Sequence, residues 1–215
     1  MNNNISKFIK HFKTVCRHRA VVFRQCCKCG LFWQGLTHDL SKFSPAEFIE
    51  SAKYFQGDRS PIEVSKECSG YSLAWQHHKG HNPHHWEYWI DFGQNGEIIP
   101  QEIPYKYVVE MVCDYIGAGM VYNGDNWTES EPYDYWAKVK SDRYFHPDTE
   151  ILIEFLLLVI KQQGLKVFYK TAQKNTKIID LATDYIENKG IFIGDLAAEY
   201  AGNAGLFKKG DWYDC

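Results

Sequence analysis

Five of the nine histidines in this 215-residue chain fall in one stretch, Gln76-His77-His78-Lys79-Gly80-His81-Asn82-Pro83-His84-His85-Trp86-Glu87. Neutral imidazole is a good ligand for Mn, Fe, Co, Ni and Zn, and a carboxylate oxygen can bridge two such ions. A mixed set of His and Asp therefore suits a metal cluster that activates water. Outside the stretch the sequence offers His18, the dipeptide His38-Asp39 and Asp114. Taken alone, each piece has an ordinary explanation. A histidine on an apolar helix face, like His18, is more often a core residue bonded to a carbonyl, and a lone helical Asp, like Asp114, is more often solvated or a cap partner. A His-rich run can also be a surface metal-scavenging tract. This one is interleaved with Trp75, Trp86, Tyr88 and Trp89, which want burial, and buried histidines need partners.

The order of the pieces weighs more than any one of them. Read as His18, His38-Asp39, His78, His84-His85 and Asp114, the chain resembles the HD-domain metal-dependent phosphohydrolase superfamily. There a helical bundle presents an upstream His, an adjacent His-Asp pair and a downstream helical Asp to a metal centre, and members with two or three metals add single and paired histidines between them. His38-Asp39-Leu40-Ser41-Lys42 is similar to their His-Asp-x-x-Lys, and His84-His85-Trp86-Glu87 to their His-His followed by an acidic residue. The chain also resembles an uncharacterised family of bacteria and phages with His-Asp-x-Ser-Lys, a His-x(3)-Asn-x-His-His block and a Glu-Met-x-x-Asp helix, which Glu110-Met111-Val112-Cys113-Asp114 matches. The likeness covers about residues 10 to 160. The Gly-Tyr-Pro signature of cyclic-dinucleotide phosphodiesterases is absent after His85, which argues against that substrate.

The resemblance implies that His18, His38, Asp39, His78, His84, His85 and Asp114 ligate one to three divalent transition ions (Mn, Fe, Co, Ni or Zn, with Mg a further candidate), Asp39 bridging them. It implies a hydrolase acting on a small phosphorylated metabolite or nucleotide through a metal-bound hydroxide. Asp39, Lys42, Glu87 and Glu110 are the catalytic candidates: Lys42 to meet an anionic phosphate, the two glutamates to orient ligand imidazoles or move protons. For Lys42 an ordinary solvated lysine is an equal alternative. Two other readings stay open: a di-iron oxygenase of the same superfamily, and a binding protein whose metal only ties helices together. Cys26-Cys27-Lys28-Cys29 contains a C-x-x-C, but no second pair stands at zinc-site spacing, and on an amphipathic helix cysteines pack as small hydrophobes.

The elements that must position these residues read as helices. Ile5, Phe8, Phe12, Val15, Val22 and Cys26 recur at helical spacing and predict a long amphipathic helix over residues 5 to about 29, with His18 on its apolar side. Ser44-Pro45-Ala46-Glu47 has the form of a capping box with proline at the first helical position, so His38 and Asp39 fall just before a helix start. Residues 57–70, with two Gly and a Pro, read as a loop, and a helix resumes near Tyr71. Asn82-Pro83 then divides the run and places His84 and His85 in the first turn of a following helix. Residues 91–104 are a turn-rich connection, and Pro104 opens a helix that carries Glu110 and Asp114 to about Met120. The segment 122–148 is polar and aromatic. Helices follow at about 149–163, 175–188 and 195–203, and Leu165 to Tyr169 reads as a short strand. The expected fold class is all-α, an HD-like bundle with room for a small strand or hairpin. Residues 1–164 would form the metal-binding domain, and 165–215 a helical extension packed on it.

Composition excludes several classes. Hydrophobic residues make up 45% and charged residues 24% of the chain, which is the balance of a folded globular protein. The net charge is -3 and there is no long basic run, so sequence-specific nucleic-acid binding and membrane-surface attraction are not indicated. No signal peptide stands out, and Ile151 to Ile160 is too short to span a bilayer. The odd cysteine count, seven, fits a reducing cytoplasm. The expected partner is a small phosphorylated substrate, and nothing in the sequence speaks against a homo-oligomer.

Overall fold

The computed structural model describes residues 2–174, so the helices expected at 175–188 and 195–203 lie outside the described residues. Helix α1 (Asn2–Lys28) buries His11, Val15, His18, Val22, Gln25 and Cys26, a face that repeats every three or four residues. The first turns of the expected apolar side do not share that burial. Ile5, Phe8 and Phe12 are 61%, 46% and 49% exposed, because this end of α1 meets only the rings of Phe48, edge-on, and Phe43, tilted.

Gly30, at φ +79°, turns the chain back into the short helix α2 (Phe32–Thr37). Gly35 lets α2 press on α1, since a Cβ there would sit 2.7 Å from the Cβ of Cys26. A single 3-10 turn over Leu40–Phe43 leads to α3 (Pro45–Tyr54), where Ser44 Oγ accepts the Glu47 amide at 3.4 Å. Residues 57–70 are not a loop throughout, for they contain helix α4 (Pro61–Ser69). The proline and glycine that suggested a loop stand at its first turn and, in the left-handed Gly70 (φ +78°), at its end, where each favours a helix terminus.

Helix α5 (Leu73–His81) starts at Ser72, whose hydroxyl accepts the Trp75 amide. His84 and His85 do not open an α-helix. They lie in a turn ahead of a 3-10 segment, Trp86–Trp89, because the Pro83 carbonyl that would begin a helical ladder accepts the Trp89 indole at 2.7 Å. An antiparallel hairpin follows, β1 (Ile90–Phe92) on β2 (Ile98–Pro100), with Asp91 opposite Ile99 and Gly96 in its turn.

Helix α6 (Tyr105–Asn123) is buried without a break from Val108 to Cys113, as a helix surrounded on all sides must be. It packs against α1, α7 (Glu131–Val139) and α8 (Pro147–Ala172) around a core that includes Val112, Ile116, Trp136, Ile153 and Leu156. Leu165 to Tyr169 is helical rather than a strand. Gly164 (φ +80°) breaks α8, Glu129 accepts the Leu165 amide at 2.9 Å to cap the restarted helix, and Phe168 returns to the core. The described residues thus form an all-α fold with one small hairpin. Among the described residues no helix is long and apolar enough to cross a membrane.

Candidate metal centre

Five segments converge: α1 brings His18, the link after α2 brings His38 and Asp39, α5 brings His78, the turn after it His84 and His85, and α6 Asp114. The register of α1 on α6 comes from Gly117, where an added Cβ would lie 2.4 Å from Val22 Cγ2. One turn before that contact on each helix stand His18 and Asp114, with Nε2 and Oδ1 3.0 Å apart. Asp39 adopts left-handed backbone (φ +54°), a conformation that Asp tolerates better than most residues. The Arg19 guanidinium fixes this corner by donating to the carbonyls of His38, at 2.7 Å, and Leu36, at 2.9 Å.

The facing atoms form two sets that share Asp39. In the first, Asp39 Oδ2 is 3.3 Å from both His18 Nε2 and His38 Nε2, and Asp114 Oδ1 is 3.0 Å and 3.5 Å from the same two nitrogens. In the second, Asp39 Oδ1 is 3.2 Å from His78 Nε2 and 3.5 Å from His84 Nε2, while His78 Nε2 and His85 Nε2 are 2.9 Å apart. Two atoms bonded to one ion at about 2.0–2.2 Å stand about 2.8–3.1 Å apart at right angles and about 3.3–3.6 Å apart at the tetrahedral angle. The observed separations, 2.9 to 3.5 Å, lie within the span of those two cases. They are poor as direct hydrogen bonds: apart from the Lys42 ammonium against Asp39 Oδ2, neither Asp39 oxygen, nor His84 Nε2, has a well-directed partner among the described residues although all three are buried. Buried polar atoms in that condition are costly, and a shared cation would satisfy them together.

The far sides of the rings fix which nitrogen is bare. Glu110 Oε1 lies 2.9 Å from His38 Nδ1 and 3.1 Å from His84 Nδ1, and Glu47 Oε2 lies 2.7 Å from His78 Nδ1. An ionised carboxylate only accepts, so whenever these rings are neutral the proton sits on Nδ1 and an Nε2 lone pair turns inward, the usual arrangement behind metal-bound imidazoles. Glu110 is where the sequence reading puts an orienting carboxylate. Glu47 was missed, because the capping-box pattern already accounted for it. Its side chain leaves the helix end and serves His77 and His78 instead.

Electrostatics point the same way. Burial pushes the carboxyls of Asp39 and Asp114 up, yet the surrounding rings, with Lys42 beside Asp39, hold both well below the usual carboxylate range. Burial disfavours a charge on His38 as well, but Asp39, Asp114 and Glu110 draw its pKa well above that of free histidine. Burial, with the His84 and His78 rings nearby, drives His85 well below it. A buried site so rich in carboxylate attracts cations.

Of the catalytic candidates, Asp39 and Glu110 are in this arrangement, and Lys42 touches it, with Nζ 2.5 Å from Asp39 Oδ2. Glu87 is not brought in. It makes no ion pair or hydrogen bond with any of the seven ligand candidates, and its Oε2 is buried without a partner among the described residues. It stands on the 3-10 turn rather than the helix expected after Pro83, which alters the direction of its side chain. Cys26 and Cys29 are buried in the apolar core, Cys29 Sγ 3.8 Å from Cys113 Sγ.

A family described as of unknown function (DUF5662) matches residues 7–158, most of the chain. The chain belongs to this family. The DUF5662 segment contains all seven ligand candidates together with Glu47 and Glu110, so the whole centre is built within it. Neither the curated proteins nor the solved structures gave a match.

Proposed function

We propose that this chain is a metal-dependent phosphohydrolase of the HD type, acting on a small phosphorylated metabolite or nucleotide. The observation that carries the reading is the division of labour at Asp39, one oxygen facing His18 and His38, the other facing His78 and His84. That is what a carboxylate bridging two ions requires, and a mononuclear site has no need of the second set. His18, His38 and Asp114 would hold one divalent ion with Asp39, and His78, His84 and His85 the other. A bound pair of this kind activates water and neutralises phosphoryl oxygens.

The chain's own residues do the rest. Glu110 and Glu47 keep the imidazoles in one tautomer and orientation. Lys42 is 32% exposed while its ammonium touches the buried Asp39, so it offers a fixed positive charge to an arriving phosphate at the edge of the centre. Burial works against that charge, but Asp39 and Asp114 hold the Lys42 pKa above the ordinary lysine value, and it stays protonated.

The test is elemental analysis of protein purified without added metal, then a phosphatase screen over nucleotides and sugar phosphates with Mn, Co, Mg and Ni. Two ions per chain and phosphate release stimulated by Mn or Co support the proposal. Iron with visible absorbance and no phosphate release would replace it by the dioxygen-activating reading. A tightly closed ion and no turnover of either kind would leave a structural metal.

A further inference from the structure

All seven Lys and Arg residues ahead of Asp39 lie on α1, and no acidic residue precedes Asp39, in a chain that holds 24 basic and 27 acidic residues in all. The net charge of -3, from which no attraction to a membrane surface is expected, averages this basic helix with an acidic remainder. Lys10, Lys13, Arg17 and Arg24 follow one another at steps of three, four and seven residues, so they form one ridge along α1. All four are exposed, and none forms an ion pair among the described residues. Beside the ridge runs an apolar stripe. Ile5, Phe8, Ile9 and Phe12 recur at helical spacing and are all exposed, Ile9 at 51%. Ile5 and Ile9 share a shallow surface hollow with Lys10 and Lys13, so stripe and ridge adjoin. Farther along the same side of α1, Phe12 meets Phe43 and Phe23 meets Phe32 of α2. Trp33, edge-on to Phe32, continues the apolar surface at 70% exposure.

We infer that α1, with Trp33, is a peripheral anchor that lies flat on a bilayer surface rich in anionic phospholipid. An apolar patch left in water marks an interaction site, and the adjoining ridge decides its kind. Nucleic acid would engage the basic ridge and leave the isoleucines in water. A second copy of the chain would bring an equal positive ridge of its own. An anionic bilayer satisfies both features: the stripe enters the boundary between headgroups and acyl chains, to about 5–10 Å, while the ridge stays among the phosphates. Trp33 suits the same depth, where indole rings collect. His18 leaves α1 toward Asp114 on α6, a different side from the stripe, so attachment leaves the buried centre unobstructed. The inference does not depend on the hydrolase reading and stands or falls apart from it.

The test floats full-length, metal-loaded protein with vesicles of equal parts phosphatidylglycerol and phosphatidylcholine, and with vesicles of phosphatidylcholine alone. Binding is expected to the first and at least about tenfold weaker to the second. It should fall as salt rises and the screening length shrinks from about 10 Å at 0.1 M to about 3 Å at 1 M. In the triple variant Lys10→Gln, Lys13→Gln, Arg24→Gln the affinity should drop about a hundredfold, at roughly fivefold per lost charge. Ile5→Ser with Ile9→Ser should lower it at least about tenfold. Both variants should keep the circular dichroism and metal content of wild type, since all five side chains are exposed. No binding to the anionic vesicles, or binding that the isoleucine variant leaves unchanged, would overturn the inference. So would duplex DNA binding in place of vesicle binding, which makes the ridge a nucleic-acid surface. A dimer that the isoleucine variant abolishes, with no vesicle binding, would overturn it as well and assign the stripe to a second copy.

Discussion

At the scale of single residues, the outer carboxylates are as decisive as the ligands. Glu110→Gln keeps an oxygen that can accept from both His38 and His84 but removes the negative charge that strengthens both bonds, so the two rings are held less firmly in orientation and tautomer. Metal affinity should fall about 10–100-fold, measured by competition with a chromophoric chelator, while circular dichroism stays that of wild type. A second residue-scale prediction concerns His11, which is buried among aromatic rings including those of Phe48 and Phe55, its Nδ1 unpartnered. Burial, helped by the charge of Lys42, lowers its pKa from the ordinary 6.5 to about 4. Between those values the unfolded chain binds the proton and the folded one does not. The stability His11 permits is therefore complete above pH 6.5 and is lost as pH falls toward 4, by up to about 3 kcal/mol. Urea melts of wild type and His11→Phe across this range should show a shallower acid loss in the variant. Parallel curves would refute the assignment.

At the scale of elements, the α1–α6 crossing sets the centre. Gly117→Ala places a methyl 2.4 Å from Val22 Cγ2, so either the Val22 side chain or the helix contact must shift, at a cost of about 1–3 kcal/mol. Because His18 and Asp114 lie one turn away, metal content should drop along with the melting temperature. Val22→Ala combined with Gly117→Ala should recover part of both, and failure to recover would show that the contact does not set the register. Helix periodicity, Ser44 with Pro45, and Pro104 made α1, α3 and α6 legible in the sequence, since local chemistry decides those features. Helix α4 was hidden because Pro61 and Gly70 punctuate a helix in the same letters that punctuate a loop. The turn at His84 and His85 was hidden because the Trp89 indole that stops a helix there reaches back six residues. Glu47 could not be assigned either: its partners are thirty residues away, and only the packing of α5 on α3 brings them together.

For the whole molecule, the question is whether metal builds the fold or occupies it. The largest fully buried side chains include Trp136, Phe168, Ile153 and Leu156, which pack where α6, α7 and α8 meet and belong to no ligand set. Burying such side chains contributes about 1.5–3 kcal/mol each without any ion, unlike a zinc finger whose metal energy is its folding energy. Chelation should therefore leave a folded protein with a lower melting temperature. An ion present at a thousand times its Kd contributes about 4 kcal/mol, which for a chain of this size is about 8–16 °C. Asp39→Asn removes one negative charge from the shared ligand and weakens both ions at once, so it should melt close to chelated wild type and lose essentially all turnover. The comparison is a set of four melts, wild type and variant, each with and without chelator, alongside phosphate release. If chelation unfolds wild type at room temperature and the variant never folds, metal is part of the architecture and the hydrolase proposal falls. If all four stay folded and only metal-loaded wild type turns over, Asp39 acts in the chemistry and not in the fold.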